Sequence, residues 1–152
     1  MHKLKSRIFE LLRQGSSPED ISLTIALGFT LGTIPVLGST TLLCAFAALS
    51  LRLNIALIML VNYFAYPIQL LIYIPLLLLG ANWLDSSVTS LTLEGVYHML
   101  RSDMWGAIKR LFWANLGGVL IWSCVATPLG FLIYTSTQRI MRNFQKTLPT
   151  EP

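Results

Sequence analysis

Four hydrogen-bonding side chains recur in one apolar stretch: Asn62, Tyr66, Gln69 and Tyr73 stand at i, i+4, i+7 and i+11. That interval puts them on one face of a helix. Amides and phenols at such a stripe bind ligands by hydrogen bonding or by offering neutral oxygens, so the chemistry they suggest is recognition. Upstream, hydroxyls on Thr33, Ser39, Thr40 and Thr41 surround Pro35-Val36-Leu37-Gly38. There proline disfavours helix at Ile34 and glycine permits a sharp turn. Backbone opened at membrane depth is tolerated only when buried in protein or lining a wet cavity. Broken helices of this kind build ion and substrate sites from helix ends and freed carbonyls. Set against each other, Thr33, Pro35, Gly38, Ser39, Asn62, Tyr66 and Gln69 form a candidate polar site. The plainer alternative is that the hydroxyls only cap loose backbone and the stripe only holds helices together. Gly28-x-x-x-Gly32, just before the break, is the spacing that lets two membrane helices approach closely.

Other chemistries lack their residues. No Asp, Glu, Lys, Arg or His falls between Ile21 and Leu51, between Leu53 and Leu84, or between Leu111 and Gln138. A proton relay or charge-coupled pump needs ionisable groups at depth, whereas a Na⁺ site of carbonyls and hydroxyls remains open. His2 and His98 have no partners at ligand spacing, so no metal or other cofactor is expected. No base accompanies any serine in the apolar runs, so the chain is not expected to be an enzyme. Cys44 and Cys124 stand alone in apolar sequence and read as small buried hydrophobes.

The elements that must carry these residues follow from charge segregation. The 152 residues are 54% hydrophobic and 12% charged, with mean hydropathy +0.64, against roughly 25% charged in soluble domains. Each uncharged run exceeds the roughly 20 residues that cross a bilayer. The net charge of +4 lies at the run edges, without an aromatic-interleaved patch, which argues against nucleic acid. Residues 1–14 carry an apolar face of Leu4, Ile8, Leu11 and Leu12 opposite Lys3, Lys5, Arg7 and Arg13, the pattern of an amphipathic surface helix. No cleavage site follows, so this segment is not expected to be a removed signal peptide. Ser17-Pro18-Glu19-Asp20 then starts a helix, with Ser17 as N-cap and Pro18 at the first helical position.

Residues 18–52 become two arms around the break, with Ser39 capping the second. Each arm is too short to span, which fits a re-entrant hairpin, or less readily a single crossing by a broken helix. Asn54 opens a transmembrane helix over 54–84 that carries Pro67 and Pro75. Asp85 to Glu94 holds acids and no Lys or Arg, the mark of a non-cytoplasmic loop. Residues 97–110, with Trp105, Lys109 and Arg110, read as an interfacial helix, and 111–137 as a second span kinked at Pro128. The basic tail 138–152 then returns to the cytoplasm. Arg101, Lys109 and Arg110 conflict with that topology; a single broken crossing would relieve the conflict by expelling the tail.

The string Ser17-Pro18, Ala26-Leu27-Gly28-Phe29, Gly32-x-x-Pro35-x-x-Gly38-x-x-Thr41 and Leu51-Arg52-Leu53-Asn54 resembles the bacterial membrane family catalogued as domain of unknown function 2062. The resemblance covers most of the chain, most specifically Leu4 to Leu84. The family typically continues with an Asn-Pro pair; here Pro67 follows Tyr66, and the asparagine stands earlier at Asn62. The resemblance implies a small inner-membrane protein and supplies no established activity. It adds Thr41, Asn54 and Pro67 to the candidate positions above.

The expected architecture is an all-α membrane protein of one integral domain. It has a re-entrant or broken helical hairpin, two transmembrane helices and short amphipathic interfacial helices, multi-pass in the bacterial inner membrane. Two spans bury little, so the lipid bilayer and a second copy of the chain, as homo-oligomer, are the expected partners. The expected function is small-solute transport or lipid handling at the polar break. The competing reading is a non-transporting scaffold or anchor that docks a partner protein or anionic lipid.

Overall fold

The computed structural model describes residues 17–84 and 101–147. The expected surface helix over 1–14, the loop Asp85 to Glu94, the start of the 97–110 segment and the last residues of the tail lie outside them. Four helices make up the described fold: α1 (Pro18–Gly32), α2 (Thr40–Leu51), α3 (Ile55–Leu84) and α4 (Met104–Thr147). The described residues contain no strand.

Local chemistry sets the helix starts. The Ser17 hydroxyl accepts from the Asp20 amide at 3.1 Å and the Asp20 carboxylate accepts from the Ser17 amide at 2.9 Å, a reciprocal capping box. The Asn54 side-chain oxygen accepts from the Leu57 amide at 3.0 Å and caps α3. Ser39 departs from expectation. It is already in helical backbone, and its hydroxyl donates to the Val36 carbonyl at 2.9 Å, so it ties the preceding turn together instead of capping α2. Between α2 and α3 the turn passes through Arg52, left-handed at φ 56, with the Leu53 amide donating to the Ala48 carbonyl at 2.8 Å.

Glycines define how the helices run. A Cβ at Gly28 would lie 2.9 Å from the Val61 Cβ, and one at Gly32 would lie 2.9 Å from the Ala65 Cβ. Further on, Ile34 bonds to Gln69. Rising numbers in α1 therefore meet rising numbers in α3, so the two helices run parallel with the Gly28-x-x-x-Gly32 face between them. Helix α4 runs the other way: Gly130 abuts Thr30, Trp122 reaches Thr33, and Arg142 pairs with Glu19. Its earlier residues meet the far half of α3, where a Cβ at Gly80 would strike the Ala114 carbonyl and the Gly118 amide. Helix α2 is separated from α3 by three residues and shares a core with Leu23, Leu27, Leu31 and Ile58 through Cys44 and Ala48. Since Ile58 also lies against Gly28, α2 folds back beside α1, and the two form a helical hairpin with residues 33–39 at its tip.

Two helices, α3 and α4, are long and apolar enough to cross a membrane, and their most apolar windows are only 28% and 17% buried. The core helix of a soluble protein of this length would be mostly covered. The expected division into an interfacial helix over 97–110 and a span over 111–137 is not seen, because α4 is one helix of 44 residues. No glycine–proline stop lies near Arg110, and one helical period serves both the mixed and the apolar stretch. Cys44 is buried as expected, whereas Cys124 is exposed on α4.

Candidate functional site

The hairpin tip is held by its own carbonyls and hydroxyls. The Thr33 hydroxyl donates back to the Phe29 and Thr30 carbonyls at 3.1 and 3.0 Å, closing the end of α1. The Val36 amide donates to the Ile34 carbonyl at 2.8 Å, while Gly38, at φ +85, takes the positive-φ conformation glycine adopts at least cost. Pro35 is buried and Gly38 exposed.

Helix α3 brings its stripe to this tip in part. The Gln69 amide Nε2 donates to the Ile34 carbonyl at 2.7 Å, and Gln69 is 0% exposed. This bond also fixes which end of the amide is which, because a flipped Gln69 would set oxygen against oxygen. Its Oε1 is therefore the free end, and no protein donor reaches it. Asn62 is 3% exposed and its Oδ1 lies 3.0 Å from where a Gly32 Cβ would stand. That oxygen, too, has no protein donor. From α4, the Trp122 indole N–H comes within 3.4 Å of the Thr33 hydroxyl oxygen. The result is a buried patch of neutral oxygens where α1, α3 and α4 meet. An unpaired buried acceptor costs about 1–3 kcal/mol, so two of them offset the net gain from several ordinary hydrogen bonds.

Of the sequence candidates, Gly28, Gly32, Thr33, Pro35, Asn62 and Gln69 come together here. Tyr66 does not: it is 46% exposed. Pro67 and Thr41 are exposed, Ser39 is half-buried in the turn, and Asn54 caps the distant start of α3. Tyr73 serves α4, its hydroxyl 3.5 Å from the Asn115 amide nitrogen. Sequence reasoning missed Trp122, whose single donor belongs to an aliphatic run, and the Ile34 carbonyl, which no side-chain pattern reveals.

Beside the tip, α1 and α4 leave an apolar groove of about 440 Å³. Leu23, Leu27 and Leu31 form one wall, and Trp122, Ala126 and Tyr134 the other.

Fold and site together define an all-helical protein with two helices apolar enough to span a membrane and a polar patch at the tip of a helical hairpin. The chain belongs to DUF2062, a family described as an uncharacterized protein conserved in bacteria, whose profile matches residues 1–147. No curated protein and no solved structure matches it.

Proposed function

We propose that the protein is a multi-pass inner-membrane module that binds a small cationic or hydrogen-bond-donating solute where the hairpin tip meets α3, and carries it across. The observation behind this reading is the pair of buried amide oxygens, Asn62 Oδ1 and Gln69 Oε1, that no protein group satisfies. A bound donor or cation would recover what leaving them unpaired costs.

Depth supports the reading. Gln69 lies at the middle of the 30-residue α3, which is about 45 Å long, so a bilayer centred on α3 puts the tip near its midplane. The arms of 15 and 12 residues are shorter than the roughly 20 needed to span, which favours a re-entrant hairpin over a broken single crossing. Trp83, Trp105 and Trp113, all exposed, cluster at the end of the bundle where α3 finishes and α4 starts, as aromatic residues do at a membrane interface. The exposed Leu42, Phe46, Phe64 and Leu71 face lipid or a second copy of the chain.

The oxygens around the tip carry no formal charge, which suits a monovalent ion or a neutral donor. A dehydrated divalent ion would call for carboxylates. The test is thermal unfolding of the protein in lipid nanodiscs with Na⁺, K⁺, ammonium or small amines added, followed by flux of the stabilising species in proteoliposomes. Stabilisation should reach about 2.7 kcal/mol at a hundred times the dissociation constant. Asn62→Leu and Gln69→Leu should each remove both the stabilisation and the flux. Flux that persists unchanged in both variants would refute the site.

A further inference from the structure

We infer that the groove between α1 and α4 seats one acyl chain of a bilayer phospholipid, with its headgroup at the Tyr134–Gln138–Arg142 rim. The inference rests on the membrane placement proposed above but not on the solute site.

Length, lining and rim argue for this occupant. Along α4 the groove extends from Trp122 to Tyr134, which at 1.5 Å per residue is about 18 Å. One leaflet of a hydrocarbon core about 30 Å thick is about 15 Å deep. The inner end is the Trp122–Thr33 contact at the hairpin tip, level with Gln69 at mid-depth, so the groove has the reach of one lipid tail. Its walls are leucine, alanine and aromatic side chains. The hydroxyls of Thr30, Ser123 and Thr127 that border it are turned back onto helix carbonyls, at 2.7, 2.7 and 2.8 Å, and so present methyl and methylene groups instead of free polar atoms.

At the outer end the surface changes character. The Gln138 amide donates to the Tyr134 hydroxyl at 3.3 Å and lies 3.4 Å from Glu19 Oε1, and Arg142 pairs with the same Glu19 oxygen at 3.0 Å. Arg142 and Glu19 are about 60% exposed at their side chains, so guanidinium N–H groups remain for a phosphate. Glu19 and Asp20 on α1 bring acid to the same rim, which makes phosphate hydrogen bonding, not net positive charge, the expected attraction. An extended peptide would need partners for its backbone that these walls do not offer.

The test uses the full chain in vesicles of phosphatidylethanolamine and phosphatidylglycerol carrying a trace of phospholipid with a diazirine near one acyl terminus. After irradiation, cross-links should concentrate on the peptides of Leu23–Leu31 and Trp122–Phe131. They should exceed, several-fold, those on the open face of α3 around Leu71, which is 77% exposed. Thr127→Trp fills the groove from an exposed position, and Ser123→Phe is the second filler should the first fail to fold. Either should cut groove labelling several-fold and leave Leu71 labelling unchanged. Asn62→Leu should leave both unchanged, which separates this outcome from that of the solute site. Labelling that merely follows exposure, or that a folded filler variant does not reduce, overturns the proposal. Absence of labelling on both faces overturns it together with the membrane placement.

Discussion

Single atoms decide how near these helices come. A Cβ at Gly32 would meet the Ala65 Cβ at 2.9 Å, Asn62 Oδ1 at 3.0 Å and Asn62 Cα at 3.1 Å, whereas one at Gly80 would overlap backbone atoms of α4 outright. Of these atoms only Asn62 Oδ1 can turn aside; the others move with their helices, which must part by a few tenths of an ångström at Gly32 and by much more at Gly80. Gly80→Ala should therefore destabilise by about 1–3 kcal/mol, as overpacking does, and Gly32→Ala by less, read from thermal unfolding in nanodiscs. Equal losses would mean that α3 and α4 are not in the close contact described. The same scale shows why the polar stripe was only partly legible in the sequence. At about 100° per residue, Gln69 and Ala65 fall about 20° and 60° to one side of Asn62, towards α1, and Tyr66 falls about 40° to the other. A spacing of i+4 names a face, but only the neighbour's position tells which edge of that face is covered. The close approach at Gly80 was invisible for a different reason, since its partners Gly117 and Gly118 are distant in sequence.

The turns between elements carry the hairpin's geometry. The break around Pro35 and Gly38 was readable because proline and glycine act locally, and so was the capping box at Ser17. The continuity of α4 was not: a change from mixed to apolar composition near Leu111 resembles a boundary but contains nothing that stops a helix. Arg52 shows a cost that composition hides. Its φ of 56 strains any residue with a Cβ by roughly 1–2 kcal/mol, and it ends α2 so that Leu53 and Asn54 can turn the chain into α3. Arg52→Gly should relieve that strain and raise the unfolding temperature, and Arg52→Val, branched at Cβ, should lower it. Calorimetry of the two variants in one lipid composition checks the order; a reversed order would mean that the guanidinium, through contact with lipid headgroups, outweighs the backbone.

For the molecule as a whole, the decisive feature is which ends lie together. The contact between Glu19 and Arg142 is an exposed pair worth at most about 1 kcal/mol, so its value is as a marker. It places the start of α1 and the end of α4 at one end of the bundle, and the turn at Arg52 at that end too. Arg52, Arg139 and Arg142 would then face the cytoplasm under the positive-inside rule, with Lys109 and Arg110 left opposite. The sequence contained this conflict and could not resolve it, because charge bias acts during insertion while the packing of α1, α3 and α4 against one another acts afterwards. Glycine contacts at Gly80, Gly118 and Gly130 all favour the antiparallel α4. In a background of Cys44→Ala and Cys124→Ser, single variants Glu19→Cys, Arg142→Cys and Lys109→Cys report the side directly through a membrane-impermeant thiol reagent. The first two should be labelled from the cytoplasmic face and the third only from the opposite face. Labelling of Lys109→Cys from the same side as Glu19→Cys would show that α4 does not cross, and would remove the bilayer midplane from the hairpin tip.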